Sequence, residues 1–173
     1  NNAMDFDDLL VNTYRLFNEH RDVLERFQGI FKYIMVDEFQ DTNDVQNRIL
    51  NLLAQRHHNL CVVGDDAQSI YAFRGARVQN ILQFATLYPE TKIVKLVTNY
   101  RSTSAIVNAA NSLIRFNPHQ IPKECKAAQG EGTSIKVLVP ETDSEEALLV
   151  AKSIKDKTQR ACEPYNHFAV LYR

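Results

Sequence analysis

Asp37 and Glu38 stand side by side after the apolar run Ile34-Met35-Val36 and ahead of Phe39-Gln40-Asp41-Thr42-Asn43. A short apolar run bounded by polar residues reads as a buried strand. The carboxyl end of such a strand is where open α/β sheets bind ligands. One carboxylate there can hold Mg²⁺ while its neighbour positions or deprotonates a water. A lone Asp-Glu pair is more often a charged turn, so the assignment depends on what accompanies it.

Two further clusters accompany it. Val62-Val63-Gly64-Asp65-Asp66-Ala67-Gln68-Ser69-Ile70-Tyr71-Ala72-Phe73-Arg74-Gly75-Ala76 again runs from an apolar stretch into a polar turn. The Gln68 amide can accept from water and donate to phosphate. Tyr71, Phe73 and Arg74 place two aromatic faces and a guanidinium within four positions. That set can stack unpaired bases while contacting the backbone, although aromatic pairs are mostly core residues. In Asn99-Tyr100-Arg101-Ser102, Tyr100 can stack on a nucleobase and Arg101 can grip a phosphate bidentately. An arginine at a domain junction can also serve as an arginine finger on a neighbouring site. Taken alone, the tetrapeptide also suits an ordinary helix start.

Alternating helix and strand patterns must position these groups. Phe6, Leu9, Leu10, Tyr14 and Phe17 recur at helical spacing and predict a helix over about 5–20, with Asp5, Asp7 and Asp8 at its dipole-favoured start. Strands are expected at 33–36, 60–63 and 93–97, with helices over about 43–56 and 78–87. A helix over about 103–116 follows, then a loop at 117–133 rich in Pro and Gly. The pattern ends with a strand at 135–139, a helix over about 143–157 opened by a Thr142/Glu145 capping box, and a strand at 168–172. Such alternation predicts an α/β protein with a parallel sheet and covering helices. The change of composition after the third strand sets a domain boundary between 1–98 and 99–173.

Composition narrows the classes. The chain has 173 residues, 45% hydrophobic and 24% charged, ordinary for a soluble globular protein. No apolar run approaches a membrane span and no secretory signal opens the chain. Cys61, Cys125 and Cys162 are too scattered for a disulfide framework or a paired-cysteine metal site. Cys61, inside an apolar run, is expected to be buried, and a reducing, cytoplasmic setting fits. The net charge of −1 carries no bulk nucleic-acid signature, so any such contact must be local.

In this order and spacing the clusters carry a resemblance. The chain resembles the UvrD/Rep/PcrA family of superfamily 1 DNA helicases over essentially its whole length. Asp5-Phe6-Asp7-Asp8-Leu9-Leu10 looks like the family's DFDDLL element, and 36–43 is similar to motif II, the Walker B form. Positions 64–76 match motif III, and 99–102 motif IV. The stretch 168–173 looks like the segment before the large arm inserted in the second motor domain. The resemblance implies an incomplete P-loop NTPase (RecA-like) parallel sheet carrying motifs II and III over 1–98. The start of a second RecA-like domain follows over 99–173. It implies ATP and Mg²⁺ as cofactors, with single-stranded DNA and duplex junctions as partners, in replication or repair. Asp37 would hold Mg²⁺ and Glu38 would activate the attacking water. Gln68 would sense the γ-phosphate. Tyr100 would stack on adenine and Arg101 would reach the γ-phosphate. Tyr71, Phe73 and Arg74 would touch single-stranded DNA. Three positions depart from the family pattern: Ala67 and Arg77 stand where acidic residues are common, and Phe73 where tryptophan is common.

No G-x-x-x-x-G-K-[ST] run occurs, and the five glycines cannot make one. The chain is therefore expected to be the middle of a longer helicase, inactive by itself, with open strand edges that favour self-association. A helicase subunit of a recombination nuclease shares these motifs. A non-catalytic DNA-binding protein with a decayed motor is a further alternative, against which Asp37, Glu38, Gln68 and Arg101 all count.

Overall fold

The computed structural model describes residues 3–172, which pack as two compact units, one ending at Gly132 and the other beginning at Thr133. Asn1, Asn2 and Arg173, the last residue of the 168–173 stretch, lie outside the described residues.

Chain order in the first unit starts with helix α1 (Phe6–Glu19), α2 (Arg21–Ile30), strand β1 (Ile34–Val36), α3 (Asp44–Ala54) and β2 (Leu60–Val62). The short helices α4 (Gln79–Leu82) and α5 (Phe84–Leu87) follow, then β3 (Thr98–Asn99), α6 (Ser104–Ile114) and β4 (Lys126–Ala127). Asp5 caps α1: its carboxylate accepts from the Asp8 amide at 2.8 Å, and the Asp8 carboxylate accepts from the Asp5 amide at 3.2 Å. Asn43 and Gln46 make the same reciprocal pair on α3, both at 2.9 Å. These bonds satisfy amides that the first helical turn leaves without partners.

The strands form two parallel pairs, each joined through a helix. β1 lies beside β2 with Met35 opposite Cys61, and β3 beside β4 with Asn99 opposite Ala127. A mixed α/β architecture with small parallel sheets is thus present. α1, α2 and α3 pack together through Phe17, Leu24 and Ala54, all buried. Phe39 and Phe84 meet edge-to-face at 5.6 Å beneath the turn that follows β1. Only one side of the β1–β2 pair is covered: Met35 is 80% exposed, and Tyr33, Cys61 and Val63 are exposed with it.

Several sequence expectations are corrected. Phe6 and Leu9 point outward, and the inner stripe of α1 is Leu10, Val11, Tyr14 and Phe17. Cys61 is exposed, because the alternating strand turns it to the uncovered side of β2. The 93–97 run is not a strand. Pairing begins one residue later, at β3, whose partner β4 lies inside the stretch read as a loop. The 78–87 helix is broken at Gln83 into α4 and α5. α2 has no counterpart among the expected elements, although Val23, Leu24 and Phe27 have helical spacing.

The second unit contains α7 (Asp143–Ala161), followed by a 3₁₀ turn at Tyr165–His167. Thr142 caps α7 by accepting from the Glu145 amide at 3.2 Å. The Glu145 carboxylate accepts from Glu141 rather than from Thr142, so the box is only half closed. Neither 135–139 nor 168–172 forms a strand. Val137, Val139, Leu171 and Tyr172 are all strongly exposed, and without a neighbouring strand their apolar pattern has no ladder to join. Among the described residues no helix is long and apolar enough to cross a membrane.

Candidate functional site

The turn after β1 and the turn after β2 are built as one piece. The Val63 amide donates to the Val36 carbonyl at 2.8 Å, and the Phe39 amide donates to the Val63 carbonyl at 3.0 Å. Glu38 sits between them with φ 50° and ψ 41°, a left-handed conformation unusual for a side chain of its size. Gln40 is 1% exposed, yet both ends of its amide are used. Its Nε2 donates to Glu38 Oε2 at 2.8 Å and to Asp41 Oδ2 at 3.3 Å, and its Oε1 accepts from the Asp65 amide at 3.0 Å. Asp65 Oδ2 in turn accepts from Gln68 Nε2 at 2.9 Å. Three hydrogen bonds therefore link Glu38 to Gln68 through Gln40 and Asp65.

Gly64 is required where the two turns meet. A Cβ there would lie 2.6 Å from Gln40 Oε1, 2.9 Å from Ile81 Cδ1 and 3.2 Å from the Phe39 amide nitrogen. Asn80 secures the other flank. It is buried, donates to the Thr42 carbonyl at 3.0 Å and to Thr42 Oγ1 at 3.1 Å, and accepts from Asn47 at 3.3 Å.

Asp37 and Glu38 are exposed at this junction. Asp37 Oδ1 accepts from the Glu38 amide at 2.9 Å, and Glu38 Oε2 is held by Gln40. Among the described residues, Asp37 Oδ2 and Glu38 Oε1 have no protein partner, and the buried Asp41 Oδ1 has none either. Hard carboxylate oxygens suit Mg²⁺, which is commonly held by one or two carboxylates together with phosphate oxygens. The described residues contain no cluster of three or more ligands able to cage an ion by themselves. The donor set fits a metal that arrives with a phosphate.

The aromatic set is not core. Phe73 is 78% exposed, and Tyr71 and Arg74 are also open to solvent. The two rings are 6.0 Å apart, and the Arg74 guanidinium lies 5.6 Å from the Tyr71 ring and 5.5 Å from the Phe73 ring. The cation thus rests over both rings. Tyr100 and Arg101 are exposed as well, on a turn shaped by Asn99, whose Oδ1 accepts from the Arg101 and Ser102 amides at 3.0 and 2.8 Å. Gln129 donates to the Tyr100 carbonyl at 2.8 Å and to the Arg101 carbonyl at 3.2 Å. Among the described residues neither the Tyr100 nor the Arg101 side chain makes a hydrogen bond or ion pair. The structure brings Glu38 and Gln68 into one network and leaves Tyr100 and Arg101 outside it.

Two alignments decide the family. The description "UvrD/REP helicase N-terminal domain" matches residues 1–89, and "UvrD-like helicase C-terminal domain" matches 94–173. The chain belongs to the UvrD/REP helicase family. Proteins named ATP-dependent DNA helicase PcrA from Staphylococcus epidermidis and Staphylococcus aureus are each 47% identical over all 173 residues, which cover 24% of those proteins. The Leuconostoc citreum protein of the same name is 46% identical over 171 residues, 99% of this chain and 23% of that protein. The chain thus spans about a quarter of the length of the curated relatives it matches.

Sequence reasoning missed Lys123. Its ammonium donates to Asp65 Oδ1 and, at 2.9 Å, to Asp66 Oδ1, while Asp66 Oδ2 accepts from the Ile121 amide at 2.9 Å. Burial raises the Asp65 carboxyl, but hydrogen bonds from Lys123 and Gln68 outweigh it and hold the group below its ordinary value. Burial works against the Lys123 ammonium, but the hydrogen bonds to Asp65 and Asp66 prevail and raise it. No sequence signal joins Lys123 to residues 57 and 58 positions away.

Gly64→Ala should destabilise the chain by about 1–3 kcal/mol through overpacking. A urea midpoint indistinguishable from wild type would contradict the packing described. The Lys123 pair sets a pH dependence. The lowered Asp65 carboxyl contributes stability above its unfolded value of about 3.9, lost as pH falls through the folded value. The raised Lys123 contributes below about 10.4, lost as pH rises through its folded value. Lys123→Gln should therefore cost roughly 1–3 kcal/mol at pH 7, and distinctly less at pH 3. Equal costs at both pH values, from urea titrations, would rule this out.

Proposed function

We propose that the chain forms part of the motor of an ATP-dependent DNA helicase that moves on single-stranded DNA and opens duplex junctions in the cytoplasm, in replication or repair. The proposal divides the chain at 98/99 into portions of two RecA-like P-loop NTPase domains, with the acidic turns on the first and Tyr100 and Arg101 on the second. The observation that carries it is the hydrogen-bonded line from Glu38 through Gln40 and Asp65 to Gln68. Gln68 lies just ahead of the exposed Tyr71–Phe73–Arg74 set in the chain. A group that registers phosphate is thereby tied to the water-activating carboxylate on one side and adjoins a base-stacking surface on the other.

Bound Mg²⁺ would neutralise charge on the transferred phosphate and its leaving group. Asp37 would hold it through its unpartnered oxygen. Glu38, fixed by Gln40, would orient a water and accept its proton. Gln68 offers an N–H and a carbonyl to phosphate and water. Tyr100 presents an open ring for adenine, and Arg101 a free guanidinium for phosphate. Arg74 would yield the faces of Tyr71 and Phe73 to bases while staying close enough to reach the DNA backbone. The relatives are named as helicases, which favours this reading over a decayed motor.

In the full-length protein, Glu38→Gln should leave nucleotide binding nearly intact and slow turnover by roughly 10²–10⁴-fold, the usual worth of a general base. Fluorescent-nucleotide titration and phosphate release check the two halves, and near wild-type turnover would remove Glu38 from the role. The 173-residue chain alone, having no G-x-x-x-x-G-K-[ST] run, should release no phosphate, because that loop's amides and lysine cradle the triphosphate. DNA-stimulated release from this chain that disappears with Glu38→Gln would refute the expectation.

A further inference from the structure

The Lys123 ammonium does more than pair with two carboxylates. Asp65 divides its oxygens: Oδ1 accepts from Lys123 and from the Ala67 amide at 3.0 Å, and Oδ2 accepts from Gln68 Nε2 at 2.9 Å. The carboxylate is therefore fixed in rotation by partners on one side and holds the Gln68 amide on the other. A carboxylate only accepts, so the Gln68 nitrogen must face it and the Gln68 carbonyl must face away. Asp66, almost fully buried, anchors the same ammonium and also receives the Ile121 amide. Lys95 holds the intervening residue by donating to the Pro122 carbonyl at 2.7 Å. The 121–123 segment is thus seated on the turn after β2 by its backbone and by one side chain.

We propose that Lys123 is a positioning residue for Gln68, acting through Asp65. Docking of the 121–123 segment sets which face of the Gln68 amide is presented, leaving its second N–H and its carbonyl for phosphate and water. Removing the ammonium leaves two adjacent carboxylates with no counter-charge. Asp65 then keeps only the Ala67 amide on that side, and its hold on the Gln68 amide loosens. The role assigned to this amide rests on the phosphate-sensing reading above, whereas the linkage from Lys123 to Gln68 does not.

Side-chain amide resonances of Gln68 in the ¹⁵N-labelled 173-residue chain, assigned by their loss in Gln68→Ala, provide the test. In the unaltered chain the Gln68 pair should be displaced from the free-glutamine position. Lys123→Gln should move it toward that position and Asp65→Ala should move it there fully, since the first removes the cation that fixes Asp65 and the second removes the oxygens that hold Gln68, and either variant suffices if the other fails to fold. A Gln68 pair that stays put in a folded Lys123→Gln chain, while the Ile121 and Lys123 backbone amides shift, would reduce Lys123 to a structural tie and overturn the proposal. Should Gln68 follow Lys123 while Gln68→Ala leaves unwinding by the full-length protein intact, the linkage stands and the phosphate-sensing reading falls.

Discussion

The buried amide of Gln40 is the constraint on which the rest depends. A fully enclosed amide with an unmet donor or acceptor costs about 1–3 kcal/mol per group, so its three bonds dictate where Glu38, Asp41 and Asp65 stand. To bring the Asp65 amide to Gln40, the chain after β2 must pass where no Cβ fits, which is why position 64 is glycine. To bring the Glu38 carboxylate back to the same amide, its backbone takes the left-handed conformation. That conformation costs about 1–2 kcal/mol for a residue with a side chain, and the Gln40 bond offsets part of it.

This arrangement separates a rigid part of the site from an adaptable one. The acidic turns sit over Phe39 and Phe84 and are tied to each other by backbone and amide bonds. The aromatic set beyond Gln68 lies in the open, with only Arg74 resting on its rings. Exposed cation–π contacts are worth about 0.5–1 kcal/mol, so they hold the arginine only weakly. Lys123 adds a second fixed point to the rigid part, because it grips the very carboxylate that holds Gln68.

Local features are what the sequence makes legible. Helix starts at Asp5, Asn43 and Thr142 announce themselves through polar caps, and β1 and β2 through short apolar runs that end in acidic turns. The apolar runs at 93–97 and 135–139 look equally like strands, but a strand exists only by pairing, and periodicity does not reveal a partner. β4 is hidden for the converse reason. Lys126–Ala127 has no apolar pattern and is held by its neighbours, as when Asn111 donates to the Cys125 carbonyl and accepts from the Cys125 amide, at 2.8 and 3.2 Å. Among the candidate site residues, Asp37, Glu38 and Gln68 stand out in the sequence by their types and neighbours. Gln40 stands inside the same motif, but its role depends on burial and on a partner 25 positions away.

Arg77, where the resemblance leads one to expect an acidic residue, is accommodated without disturbing the turns. An arginine where an acidic residue is common could be expected to disturb the acidic turns nearby. Its amide instead donates to the Thr42 carbonyl at 3.0 Å, a bond that any residue other than proline could make, and its guanidinium reaches Asp44 at 3.1 Å at the start of α3. Both groups of that pair are substantially exposed, so the pair adds little stability. Its consequence is placement, since the cation is directed to the first residue of α3. Among the described residues the carboxylates at the end of β1 are left without an ion pair, because the arginine at position 77 is engaged by Asp44.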